Sequence, residues 1–181
     1  MSDQAEADAF RLARSTSHLL HRAQQLASDR FSFLVGDDGV TLRQFAVLAA
    51  IHEHPGLSQT DLVRATGIDR STLADMVTRM EKRGLITRTA SPSDGRAHAV
   101  DLAAAGQQML SSATKHARAA DAAILDSLPK NKRRAFQSTL ALLAELADKG
   151  ERATRKEDKK ADKKRQQAEP KPEKTKGKER A

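Results

Sequence analysis

Two short helical segments stand three residues apart in this chain, and a hairpin signal follows at once. Ser58 with Asp61 forms a capping-box pattern, with Asp in the Glu/Gln place, and opens a segment bearing Leu62, Val63 and Ala65 that ends at Gly67. Asp69 then caps a second segment in which Leu73, Met76, Val77 and Met80 fall at i, i+3, i+4 and i+7, closed by Gly84. Residues 85–89 and 98–102 alternate apolar and polar positions around Ser91-Pro92-Ser93-Asp94-Gly95, a turn composition, and so predict a β-hairpin.

That order is a helix-turn-helix followed by a wing, an arrangement in which the second helix enters the major groove of DNA. With the apolar stripe turned inward, the opposite face carries Ser71, Asp75, Thr78, Arg79 and Lys82, with Arg70 and Thr72 at the amino end. Arg88 on the first hairpin strand adds a further cation to the candidate DNA-binding set. A polar helix face taken alone reads as solvated surface. Placed after a glycine turn and before a basic hairpin, it reads as a face for base edges and phosphates.

Helices flank this unit. Residues 5–35 read as one long helix through Phe10, Ala13, Leu19, Leu20, Ala23, Leu26 and Ala27, and Gly36-Asp37-Asp38-Gly39 is a turn. Thr41 caps a helix with Phe45, Leu48, Ala49 and Ile51, stopped by His54-Pro55-Gly56. After Gly106 an alanine-rich helix runs through Met109, Leu110, Ala113, Ala117, Ala120 and Ile124. Leu128-Pro129 breaks it, and a last helix carries Phe136, Leu140, Leu143 and Leu146. The expected fold is mostly α: a dimerisation helix over residues 1–40, a winged helix-turn-helix domain over 41–103 with a small β-hairpin wing, and dimerisation helices over 104–148.

Charge separates the remainder. Of 32 Lys and Arg against 24 Asp and Glu in 181 residues, 13 and 7 fall in residues 151–181. The only apolar residues there are four alanines, too few to offset ordering entropy, so residues 149–181 are expected to form a basic tail, disordered or only transiently helical, that contacts phosphates without reading sequence. The absence of cysteine excludes disulfides, thiolate nucleophiles and cysteine metal sites. The longest apolar run, Phe45 to Ile51, is far short of a membrane span, and the polar start Met1-Ser2-Asp3-Gln4 has no signal-peptide core. A cytoplasmic protein with no membrane partner is expected.

The chain also resembles the MarR family of transcription regulators. The resemblance runs through Thr41-Leu42-Arg43-Gln44-Phe45-Ala46-Val47-Leu48, Pro55-Gly56-Leu57-Ser58-Gln59, Gly67-Ile68-Asp69-Arg70-Ser71-Thr72-Leu73, Arg83-Gly84-Leu85-Ile86 and Asp94-Gly95-Arg96-Ala97, and covers about residues 5–148. It implies a homodimeric repressor that binds double-stranded DNA at a palindromic operator and releases it when a small molecule binds. It also implies that Arg96 is the wing arginine that enters the minor groove and that Asp94 fixes it. Two departures stand out: Asp75 occupies a place where many relatives are basic, which points to accepting from cytosine N4, and the wing reads Asp94-Gly95-Arg96 where two adjacent Arg are common, with Ala103 in place of the usual Thr after it.

Relatives that sense aromatic carboxylates hold them with Arg and His of the first helix. On that pattern Arg14, His18, His21 and Arg22, with Phe31 and Phe45 as apolar walls, are the candidate effector-binding residues. The histidines do not point to a metal: His52 and His54 end a helix, where imidazoles suit the dipole, and no HExxH pattern occurs. No cofactor is expected. Without a glycine-rich phosphate loop, a GxSxG elbow or cysteine, an enzyme is not expected either. The competing class is an architectural DNA-binding protein without a sensing function, in which the basic tail does most of the binding.

Overall fold

The computed structural model describes residues 10–37, 39–91 and 94–168. A 3-10 turn, Leu12–Arg14, leads to helix α1 (Thr16–Val35), followed by α2 (Leu42–Glu53), strand β1 (Leu57–Ser58), α3 (Gln59–Thr66), α4 (Arg70–Lys82), the strands β2 (Ile86–Ser91) and β3 (Asp94–Leu102), α5 (Ala104–Asp126) and α6 (Lys130–Ala168). The chain is mostly helical, with one antiparallel sheet of order β1-β3-β2. Residues up to Lys130 form one compact unit and the rest of α6 belongs to a second.

Local capping sets most helix starts. The Thr41 and Gln44 side chains exchange hydrogen bonds with each other's backbone N–H groups, and Ser58 with Asp61 does the same at α3. Asp69 accepts from the Thr72 amide at 2.9 Å and starts α4. Between α3 and α4, Gly67 adopts φ 64°, a left-handed conformation that costs a residue with a Cβ but not glycine, and this ends α3 and turns the chain toward α4.

The first unit closes around one core. Phe31 of α1, Leu48 and Ile51 of α2, Leu62 of α3, Leu73, Val77 and Met80 of α4, Ile86 of β2 and Val100 of β3 are all fully buried. Each such side chain contributes about 1.5–3 kcal/mol through burial. The inward stripe expected for α4 is the one found: Leu73, Met76, Val77 and Met80 are its buried residues. Helix α5 packs along α1 and α2. Its buried Gly106 lies so close to Leu85 that an added Cβ would stand 1.9 Å from the Leu85 carbonyl oxygen, and the Ala103 amide donates to that same oxygen at 3.0 Å.

The structure corrects several expectations. Residues 10–35 are not one helix: Ser15 accepts from the His18 amide and restarts the chain after the 3-10 turn, while residues 1–9 lie outside the described set. Residues 57–58 pair with Ala99 and Val100, a third strand that two residues do not signal. The hairpin strands reach Ser91 and start again at Asp94, with a bulge at Ala90/Ser91. Helix α5 begins before Gly106 rather than after it.

The largest correction is at the carboxy end. Where the sequence suggests a disordered or at most transiently helical tail from residue 149, α6 continues to Ala168, and the remainder of the expected tail, 169–181, lies outside the described residues. The composition of 149–168 explains this: Ala, Lys, Arg, Glu and Gln are strong helix formers, and Asp148 with Arg152 and Glu151 with Arg155 are spaced i, i+4 with the acid first. A helix satisfies its own backbone hydrogen bonds and needs no buried face to exist.

Candidate nucleic-acid interface

Because α4 buries its apolar stripe, its remaining residues are turned outward. Arg70, Ser71, Asp75, Arg79 and Lys82 are exposed, and Thr72 and Thr78 are half-buried beside them. The face therefore offers three cations, one carboxylate and three hydroxyls along a helix of 13 residues.

Several of these groups are already oriented. The Ser71 hydroxyl donates to Asp69 Oδ1 at 2.7 Å. Hydrogen bonds from the Thr72 side chain and amide and from Ser71 hold the Asp69 carboxyl well below the usual carboxylate range, so the cap stays ionised. The Thr78 hydroxyl donates to the Ala74 carbonyl at 2.9 Å, and Arg79 Nε donates to the Asp75 carbonyl at 3.3 Å. These hydroxyls keep lone pairs for accepting, and Arg79 keeps its terminal nitrogens for donating. Arg70 lies at the first position of α4, where the free backbone N–H groups and its own charge both favour an anion.

Arg88 is placed differently. Its Nη2 pairs with Glu81 Oε2 across the junction of β2 and α4, and that carboxylate raises the guanidinium above its ordinary pKa. Arg88 thus braces the wing to the recognition helix and shares its charge with an acid. A second tie, Gly56 N–H to Asp101 Oδ1 at 2.9 Å, anchors β3 to the entrance of the helix-turn-helix. Asp94 and Arg96 stand at the start of β3, but their side chains lie outside the described residues, as do Pro92 and Ser93.

Of the six expected effector residues, the structure brings the rings of Phe31 and Phe45 together. Phe31 is fully buried, its ring centroid 5.4 Å from that of Phe45. Arg14 lies in the 3-10 turn, and Arg14, His21 and Arg22 are exposed, with His18 half-buried. Phe45 lines a cleft of about 600 Å3 between α2 and α5. Its apolar wall is Phe45, Ala49, Leu110 and Ala117, and its rim carries His52 and Arg118 together with Glu53 and Asp121. Sequence reading misses Arg118 and His52 because their helices are far apart in the chain. A second cavity, about 470 Å3, lies behind the turn at Gly67–Asp69 and is lined also by Gln24, Arg43 and Ala46. Among the described residues no group of three or more His, Asp or Glu is arranged to hold a metal ion, and no helix is long and apolar enough to cross a membrane.

Comparison with known proteins places this geometry. Residues 38–97 match the sequence profile of the MarR family. The chain is 30% identical over 144 residues to the HTH-type transcriptional repressor NicR of Pseudomonas putida, covering 80% of this chain and 89% of NicR. Among solved structures it is similar to PcaV of Streptomyces coelicolor, a transcriptional regulator in complex with its natural ligand, at TM-score 0.68 and 29% identity over 77% of this chain and 98% of that one. It is also similar to BpsR of Bordetella bronchiseptica, whose DNA binding is regulated by 6-hydroxynicotinic acid, at TM-score 0.69 and 26% identity over 75% and 97% of the two chains. With its helix-turn-helix, wing and flanking helices, the chain belongs to the MarR family of winged helix-turn-helix DNA-binding transcriptional regulators.

Proposed function

We propose that this protein is a homodimeric repressor that binds a palindromic operator through α4 and the wing and leaves it when an aromatic carboxylate binds. The exposed polar face of α4, held by the Asp69 cap and braced by the Arg88–Glu81 pair, is the observation that carries the DNA half of this reading. Arg70, Ser71, Thr72, Asp75, Thr78, Arg79 and Lys82 would contact the major groove, and Asp94 and Arg96 the flanking minor groove.

Dimerisation follows from what a single copy leaves uncovered. Leu19, Leu20, Leu26 and Phe33 of α1 are exposed, Phe33 by 84%, and so are Leu140, Leu142, Leu143 and Leu146 of α6. A monomer rarely tolerates that much exposed apolar surface, and a two-fold partner would also pair two recognition helices for two half-sites. Sedimentation equilibrium at micromolar concentration should give the dimer mass; a monomer contradicts it.

The effector half rests on the α2–α5 cleft. Its volume suits a small ligand, its wall is aromatic and aliphatic, and Arg118 and His52 supply donors for a carboxylate. The ligand named for BpsR has the same chemistry, a ring bearing a carboxylate. Occupation of the cleft can release DNA only if the ligand favours the arrangement of α2 and α5 that is unable to bind DNA. Fluorescence anisotropy on selected operator DNA should show a hydroxybenzoate or hydroxynicotinate weakening binding roughly 5–150-fold, the range of a typical coupling of about 1–3 kcal/mol. Arg118→Ala should bind DNA and ignore the acid, whereas Arg22→Ala should respond as the wild type does. The reverse outcome would move the effector to α1, and no response at millimolar acid would defeat the effector class.

A further inference from the structure

The continuation of α6 to Ala168 turns a run of mixed charge into a patterned surface. At about 100° per residue, positions Arg152, Lys156, Lys159, Lys160 and Lys163 fall within one arc of about 100° on the helix. Between Lys149 and Ala168 that arc contains no acidic position. Glu151, Asp158 and Asp162 fall outside it within an arc of about 40°, flanked by Arg155 and Arg165, and Glu157 stands apart from them, also outside the basic arc. Lys149 heads the basic stripe and pairs with Glu145, its Nζ 3.7 Å from Oε2. From Arg152 to Lys163 the stripe extends about 17 Å along the axis at about 1.5 Å per residue.

We infer that this stripe is a second DNA contact, a helical rail for the phosphate backbone of the duplex that α4 reads. The partner follows from chemistry. About 17 Å of duplex axis carries roughly ten phosphate charges, one per 1.7 Å, so a row of five cations meets a denser row of anions. Residues 149–168 contain no apolar residue larger than alanine. They therefore lack the bulky apolar face by which an amphipathic helix enters a bilayer, and the repeating apolar seam by which two helices pair. Nor do they contain an aromatic to stack on a base, and four of the five stripe cations are lysines, compact point charges suited to phosphates, so the contact is with phosphates and carries no sequence information. The same chain brings a DNA-reading unit to the duplex, which raises the local phosphate concentration around the stripe. Outside the arc, Arg155, Lys164 and Arg165 are offset by Glu151, Glu157, Asp158 and Asp162, so one side of the helix carries the excess positive charge. The inference rests on the DNA-binding reading of the family and adds to it the segment that reading leaves unused.

The test separates the pattern from the composition. In the full-length chain, R152Q, K159Q and K163Q together remove three cations of the stripe, and R155Q, K164Q and R165Q together remove three cations outside it, so the two variants carry the same charge and differ only in where it is lost. Circular dichroism of both variants establishes that helix content is retained. Binding to a mixed-sequence duplex is measured as a function of salt. The rail predicts that the slope of log affinity against log salt becomes shallower by about 0.9 for each lost phosphate contact, hence by about 2–3 in the stripe variant, and stays near the wild-type value in the other. Equal slopes in the two variants overturn the rail and leave only the effect of composition. Loss of binding to anionic phosphatidylserine vesicles, or of a self-associated form, with the duplex slope unchanged, overturns it in favour of a membrane or a second copy. A wild-type chain with no affinity for any duplex overturns the DNA-binding reading itself.

Discussion

Replacing Gly106 by alanine is expected to lower the unfolding free energy by about 3 kcal/mol, the upper part of the range for a forced overpacking. In an ordinary helix interior the same change stabilises by up to about 1 kcal/mol, so the sign of the result is informative. The added Cβ would stand 1.9 Å from the Leu85 carbonyl oxygen and 2.9 Å from its carbon. Both are backbone atoms and cannot rotate away. Helix α5 would have to withdraw from the end of β2, breaking the Ala103 amide bond to the same carbonyl. Gly150 in α6, where an added Cβ meets nothing within 4 Å, is the control, and Gly150→Ala should be neutral or stabilising. Urea denaturation of both variants measures the difference. A Gly106→Ala chain as stable as wild type would mean that the joint between wing and α5 is looser than described.

Arg79→Ala is expected to weaken binding to the preferred DNA site by about 1–3 kcal/mol, roughly 5–150-fold, while leaving the unfolding midpoint unchanged. Arg79 is exposed and makes a single described hydrogen bond, from Nε to the Asp75 carbonyl of its own helix, so its removal costs the fold little. Its free terminal nitrogens are suited to the two acceptors of a guanine edge. Affinity for unrelated DNA should fall less, since that affinity comes from phosphates. Thr78→Ala should have a smaller effect, because its hydroxyl proton is committed to the Ala74 carbonyl and only acceptor capacity is lost. Titration of a preferred and an unrelated duplex with each variant gives both ratios. Equal loss on the two duplexes would make Arg79 a phosphate contact.

What the sequence discloses depends on how local each interaction is. The caps at Thr41, Ser58 and Asp69 act within three residues, and the α4 stripe is a simple periodicity, so both can be read without a structure. Ser15 carries the same kind of signal, but the apolar spacing runs across it and suggests one helix where there are two segments. Strand β1 owes its existence to Ala99 and Val100, some forty residues away, and two residues have no periodicity to show. Gly106 looks like a helix start because glycine breaks helices; its real reason, a backbone approach to Leu85, is invisible until the chain is folded. The outward face of α4 was similarly legible, but the Arg88–Glu81 brace and the Phe45–Arg118 cleft are meetings of separate elements. The carboxy segment shows the limit of counting apolar residues: burial decides whether a segment joins a core, while helix propensity alone can extend one in solvent.

The central claim is that α4 and the wing of a dimer read a defined DNA sequence. Selection of bound duplexes from a random pool by the full-length protein tests it most directly. The structure predicts an enriched palindrome with half-sites about one helical turn, roughly 34–36 Å, apart, whose inner bases change when Arg79 or Asp75 is replaced and whose flanking A·T preference weakens with Arg96→Ala. A pool that emerges from repeated rounds with no preferred sequence would contradict it and would mark the protein as an architectural binder of DNA.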